Sequence, residues 1–165
     1  MKTPILDYPA ILQKTIRIAH QIVEENYSEK ELILVGIHPN GLAYAEWLQK
    51  AIQEFSKVKI TLLSISLNKQ EPLSEEIVFD KGKTSLKNKT VIVVDDVANT
   101  GKTTFYALKP IMDELPKKVQ IAVLVDRKHK RFPVSADFVG MSLSTTLQEH
   151  ILVNIAGKKS RAFLQ

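Results

Sequence analysis

Asp95 and Asp96 stand side by side at the end of an apolar run, and Thr100-Gly101-Lys102-Thr103 follows within a few residues. Paired carboxylates accept hydrogen bonds from hydroxyls and repel phosphate. A Thr-Gly-Lys-Thr turn does the reverse, because small hydroxyl donors and a bare backbone let a phosphate approach closely. The combination asks for a ligand with hydroxyls at one end and phosphate at the other. A phosphorylated ribose has both: its diol donates to Asp95 and Asp96 while its 5-phosphate rests on the loop of Ala98, Asn99, Thr100, Gly101, Lys102 and Thr103. Two other readings of the stretch stay open. Gly101-Lys102-Thr103 ends like a nucleotide-binding P-loop, but that pattern needs a glycine where Asp96 stands, and a carboxylate there repels a triphosphate. The acids also suit a plainer role, capping the next helix or sitting solvated at a strand end, as Lys102 suits that of a solvated side chain.

The elements that must position these residues are readable from periodicity. Val91 to Val94 are β-branched and apolar without alternation, the pattern of a strand buried on both faces. A short loop, 97–101, then opens a helix running from Lys102 to about Glu114, whose free N–H groups and positive dipole end favour an anion. Upstream, Ile11, Leu12, Thr15, Ile18, Ala19, Ile22 and Val23 recur at helical spacing, so residues 9–26 form an amphipathic helix. Residues 32–37 read as a strand, His38-Pro39-Asn40-Gly41 as a turn, 42–54 as a helix and 58–67 as a strand. Residues 68–89 are polar and broken by Pro72 and Gly82, a pattern suited to a mobile lid, and 120–125 form a further strand. Strands alternating with helices imply a single α/β domain over 1–165, a parallel sheet with helices on both faces. Ligands of such sheets sit at the carboxyl ends of the strands, where the turns at 36–41, 67–89, 95–103 and 126–132 converge.

Bulk properties are those of a globular chain. The 165 residues are 44% hydrophobic and 25% charged, enough for one respectable core. No cysteine is present, which excludes disulfides and thiolate metal sites. No apolar stretch approaches the ~20 residues of a membrane span, and the first residues lack a signal core, so no membrane partner and a cytoplasmic location are expected. The net charge of +5 attracts phosphorylated molecules or polyanions. Much of it lies in Arg127-Lys128-His129-Lys130-Arg131 and in a basic tail over 156–165.

At 91–103 the chain resembles the type I phosphoribosyltransferases, whose signature is an apolar strand, two acids, a short loop and Thr-Gly-x-Thr or Ser. Within them it resembles the PyrR-type proteins, pyrimidine-operon attenuators that also act as uracil phosphoribosyltransferases. Ile5-Leu6-Asp7, Arg17-Ile18-Ala19-His20, Leu34-Val35-Gly36-Ile37 and Ala122-Val123-Leu124-Val125-Asp126-Arg127 carry that likeness in order, with Pro133, Ala136-Asp137 and Gly140. The resemblance implies a type I phosphoribosyltransferase fold with a small hood, the hood loop being about 68–89. It implies transfer of ribose 5-phosphate from phosphoribosyl pyrophosphate to a nucleobase, uracil giving UMP, with Mg2+ held mainly through the substrate. Asp95 and Asp96 are then catalytic, and His38, Pro39, Asn40, Gly41 and Lys69 bind pyrophosphate. Relatives carry Thr-Arg-Gly where this chain has Pro39-Asn40-Gly41, so a charge that meets pyrophosphate is missing here.

The resemblance also places Asp126, Arg127, Phe138 and Val139 at the base. An ionised Asp126 cannot donate to a purine oxygen, which disfavours hypoxanthine and guanine. On the first helix, Arg17 and His20 match positions that PyrR-type proteins use with RNA. The alternative function is therefore a nucleotide-sensing, RNA-binding regulator with little turnover, and transfer to another base such as adenine or xanthine is a further one. Relatives are homodimers or larger, and the same is implied here.

Overall fold

The computed structural model describes residues 2–80 and 84–165. Its strands are β1 (Thr3–Leu6), β2 (Glu31–Ile37), β3 (Lys59–Ser66), β4 (Val78–Phe79), β5 (Thr90–Ala98), β6 (Lys118–Arg127), β7 (Phe138–Leu143), β8 (Ile151–Asn154) and β9 (Arg161–Leu164). Three α-helices, α1 (Tyr8–Glu25), α2 (Asn40–Gln53) and α3 (Lys102–Met112), accompany them. Six strands form a sheet in the order β4-β3-β2-β5-β6-β7, parallel except for the edge strand β4. As the alternation of elements implies, the fold is an α/β parallel sheet.

Each long strand is buried on both faces because its alternate side chains enter two separate cores. Leu32, Leu34, Ile92 and Val94 pack with Ile11, Ile18, Ile22, Tyr44, Leu48 and Ile52 from α1 and α2. Ile33, Val35, Ile37, Val91 and Val93 pack with Ala107 and Ile111 of α3, and with Ile77 and Leu86. The continuous apolar runs of the sequence are this arrangement seen edge-on. The start of α1 is fixed locally: Asp7 is its N-cap and accepts a hydrogen bond from the Ala10 N–H at 3.0 Å, with Pro9 in the first turn. Such a cap stabilises a helix by about 1 kcal/mol.

Four expectations shift. β5 does not stop at the acids; it runs through Asp95 and Asp96 to Ala98, since β6 continues alongside and pairs Val97 with Val125 and Ala98 with Asp126. α2 starts earlier than the reading of 42–54, at Asn40 with Pro39 as its N-cap, so part of the turn is helix. The basic tail is structured: Gly157–Lys159 form a 3-10 turn and β9 pairs with both β1 and β8 in a second, antiparallel sheet. Ala162 is fully buried there, which anchors the strand despite its basic flanks. In the polar segment 68–89, β4 pairs with β3, while Pro72, Ile77 and Leu86 are buried; residues 81–83, with Gly82, lie outside the described residues.

Candidate functional site

A cleft of about 200 Å³ opens at the carboxyl end of β5, between the turn before α3 and strand β8 of the second sheet. Asp95 and Asp96 lie in it at 3% and 7% exposure. The Asp95 carboxylate accepts from the Asp96 N–H at 2.9 Å, and Asp96 Oδ1 accepts from the Val97 N–H at 2.9 Å. The second oxygen of Asp96 accepts from Asn40 Nδ2 at 2.9 Å, and the same amide nitrogen donates to the Val153 carbonyl at 3.2 Å. Asn40 thus ties the start of α2, the acid pair and β8 together. Gly41 permits that approach, because a Cβ there would lie 2.5 Å from the Val94 carbonyl and 3.1 Å from Asp95 Oδ1.

Burial, and then the charge of Asp96, push the Asp95 carboxyl well above the usual carboxylate range, while the charge of Lys69 acts in the opposite direction. Asp95 therefore resists ionising unless a ligand or a cation meets it. Lys69 is the one basic residue lining the cleft among the described residues.

The opposite wall is the turn Asn99–Gly101. Gly101 has φ +85° and caps α3 with no side-chain bond, leaving first-turn N–H groups of α3 unpartnered within the helix. A Cβ at Gly101 would both strain that backbone and collide with Val134 Cγ2. The turn is braced from behind by the loop after β6. The Thr100 carbonyl accepts from the N–H groups of Arg131 and Phe132 at 2.9 and 3.1 Å. Lys130 Nζ reaches the carbonyls of Asn99 (3.1 Å), Ala98 (3.4 Å) and Arg127 (2.9 Å), and pairs with Asp126. Lys130 thereby pins the peptide planes of the turn that lines the cleft. Lys130→Met is expected to weaken binding of ribose 5-phosphate about three- to tenfold, one or two hydrogen bonds of ~1 kcal/mol being lost, with the fold intact. Titration calorimetry on a variant with a native circular dichroism spectrum checks this, and unchanged affinity would remove Lys130 from the role.

Of the residues singled out in the sequence, Asp95, Asp96, Ala98, Asn99, Thr100, Gly101, Thr103, Asn40 and Lys69 line this one cleft. Others lie elsewhere. Lys102 Nζ donates to the Gln70 carbonyl at 2.8 Å, linking the start of α3 to the 68–80 segment. His38 and Pro39 are exposed beside the cleft, with the His38 N–H given to the Ile65 carbonyl at 2.9 Å. Arg127 is buried, bonded to Thr145 Oγ1 and to the Thr146 carbonyl at 2.6 Å, and so braces the approach to β8. Phe138 is a core residue at 3% exposure, and Val139 packs against the α3-side core. Arg17 donates to the carbonyls of Val139 and Gly140 at 3.1 and 2.7 Å, and His20 stacks on Phe55 with ring centroids 3.8 Å apart. Val97, inside the expected turn at 95–103, lines the cleft as well, while Thr104 and Ile151 to Val153 line it without having been anticipated. Thr104 follows from the helix that starts at Lys102; nothing local to Ile151-Leu152-Val153 signals that they line the cleft of the acids.

The phosphoribosyl transferase domain model matches residues 2–155. The bifunctional protein PyrR of Clostridium acetobutylicum is 39% identical over 164 residues, covering 95% of this chain and 92% of that protein. That of Macrococcus caseolyticus is 35% identical over 158 residues, covering 92% and 91%. Among solved structures, a hypoxanthine phosphoribosyltransferase of Trypanosoma cruzi superposes with a TM-score of 0.77 at 18% identity, over 91% of this chain and 85% of that one. A hypoxanthine-guanine phosphoribosyltransferase from Bacillus anthracis gives 0.76 at 21%, over 92% and 86%. These last two speak for the fold alone. By the domain match and the PyrR relatives, the chain belongs to the phosphoribosyl transferase family, in its PyrR branch.

Proposed function

We propose that the cleft transfers ribose 5-phosphate from phosphoribosyl pyrophosphate to uracil, giving UMP. One observation carries the reading: two adjacent, nearly buried carboxylates share a cleft with a left-handed amide turn at a helix start. The turn Asn99–Gly101, with Thr103, holds the 5-phosphate. Asp95 and Asp96 accept the diol, which fixes the sugar and puts negative charge beside the anomeric carbon as it gains positive character. Ile151, Leu152 and Val153 line the cleft with the acids, and the Val153 carbonyl helps to hold Asn40 against Asp96.

Among the described residues, no three His, Cys, Asp or Glu side chains converge on a metal position. The hard oxygens of Asp95 and Asp96, together with those of a bound diol and pyrophosphate, are the donors that Mg2+ takes, so the site fits an ion arriving with its substrate. Such an ion neutralises the leaving group. The choice of uracil rests on the PyrR likeness and on Asp126, whose carboxylate pairs with Lys130 and offers no donor to a purine oxygen.

A second reading, a regulator that senses a nucleoside monophosphate and binds RNA, is favoured by the neutral Asn40 in the cleft and by relatives named bifunctional. RNA contact through Arg17 would draw it from the Val139 and Gly140 carbonyls. A cytoplasmic homodimer or larger assembly belongs to both readings. Among the described residues no helix is long and apolar enough to cross a membrane. Pyrophosphate release is measured with phosphoribosyl pyrophosphate, Mg2+ and each of uracil, adenine, hypoxanthine, guanine and xanthine. Release with uracil above all others is expected. Release with a purine instead overturns the base, and no release with any base overturns the enzyme reading in favour of the sensor.

A further inference from the structure

The β2–α2 side of the cleft is short of positive charge. Asp95 and Asp96 face Lys69 as the one lining cation among the described residues. Lys102 Nζ is engaged by the Gln70 carbonyl and Lys130 by Asp126. Asn40 stands at the head of α2, and its amide nitrogen has two hydrogens. One goes to Asp96 Oδ2 at 2.9 Å and the other to the Val153 carbonyl at 3.2 Å, so none is left for a ligand. Pro39 carries no N–H, and that of His38 is given to Ile65. What remains on this side is the N–H row of the first turn of α2, without a fixed cation.

A 5-phosphate brings roughly −1.5 to −2 charges, and a pyrophosphate on the same sugar adds at least as much again. Drawing Asn40 toward that second anion breaks both of its bonds, leaving Asp96 and the Val153 carbonyl each without a donor. A ligand without the pyrophosphate makes no such demand. Its diol can use the second lone pairs of the Asp96 oxygens while Asn40 stays in place. We infer that Asn40 is a specificity-determining residue: it makes the cleft favour a ribonucleoside 5-monophosphate over a ribose that also carries a pyrophosphate. The inference rests on the reading of the cleft as a ribose 5-phosphate site.

Calorimetric titrations of the full chain with UMP and with phosphoribosyl pyrophosphate, each with Mg2+, test it. The native chain is expected to bind UMP about tenfold tighter than phosphoribosyl pyrophosphate. Asn40→Arg, which places a cation there, is expected to tighten the latter by about tenfold while UMP moves less than about threefold. Equal affinities in the native chain, or an Asn40→Arg variant that shifts both ligands alike, overturn the inference and leave the ribose 5-phosphate reading standing. Failure of the native chain to bind either ligand overturns that reading as well. The native comparison needs no variant, so misfolding of Asn40→Arg does not shelter the claim.

Discussion

Asp96→Asn is expected to weaken binding of phosphoribosyl pyrophosphate and UMP at least tenfold, and to lower the melting temperature of the free chain. The first effect follows from charge. A hydroxyl bonded to a carboxylate contributes roughly 1.5–3 kcal/mol, more than a neutral pair does, and tenfold in affinity is about 1.4 kcal/mol. The second follows from geometry. Asp96 accepts on both oxygens, from Val97 N–H on one and from Asn40 Nδ2 on the other. An asparagine there has one acceptor and one donor, so whichever way its amide turns, its NH2 meets another N–H. Rotating Asn40 to offer its own oxygen only moves the conflict, because that oxygen then faces the Val153 carbonyl. Calorimetry and a thermal melt check the two halves separately. Unchanged affinity removes Asp96 from the sugar, and an unchanged melt means that the Asn40 bond does not matter to the free fold.

The strand-and-turn frame of this site was legible in the sequence because its determinants are local. Val91 to Val94 announce a doubly covered strand, the helical spacing from Ile11 to Val23 announces α1, and Thr100-Gly101 announce the turn before α3. The second sheet was not legible, since it joins residues 3–6 to 161–164, the two ends of the chain, and neither strand alternates cleanly. A pairing of that kind is decided by the whole fold. Missing it also hid the wall that β8 gives the cleft, because β8 is held in place by β9. Basic residues misled for a related reason. Arg17 reads as a free charge on a helix, yet its partners are carbonyls 122 and 123 residues further on. Lys130 reads as part of a solvated run but sits among four oxygens. Asn40 was visible as a lost charge; that its donors are already engaged depends on where β8 lies.

Asp95→Asn is expected to do the opposite to stability while also removing function. In the folded chain burial, and then the Asp96 charge, hold the Asp95 carboxyl well above its ordinary range. Below about pH 4 it is protonated in both folded and unfolded chains and contributes nothing. As pH rises past that point the unfolded chain releases the proton while the folded one keeps it, so stability falls with pH until the folded group also ionises. Asparagine does not titrate, and its oxygen can keep the bond from the Asp96 N–H while its NH2 turns to the Asp96 carboxylate. The gain from Asp95→Asn should therefore be small near pH 4 and grow toward pH 8, at about 2–4 °C in melting temperature per kcal/mol for a chain of this size. Ligand affinity should drop at least tenfold, one of the two carboxylates proposed to hold the diol being gone. Melts of both chains at pH 5 and pH 8, with calorimetry at the higher value, settle it. A variant no more stable than the native chain at pH 8 would mean that Asp95 is not held against its charge, and the buried acid pair would lose its place as the centre of the site.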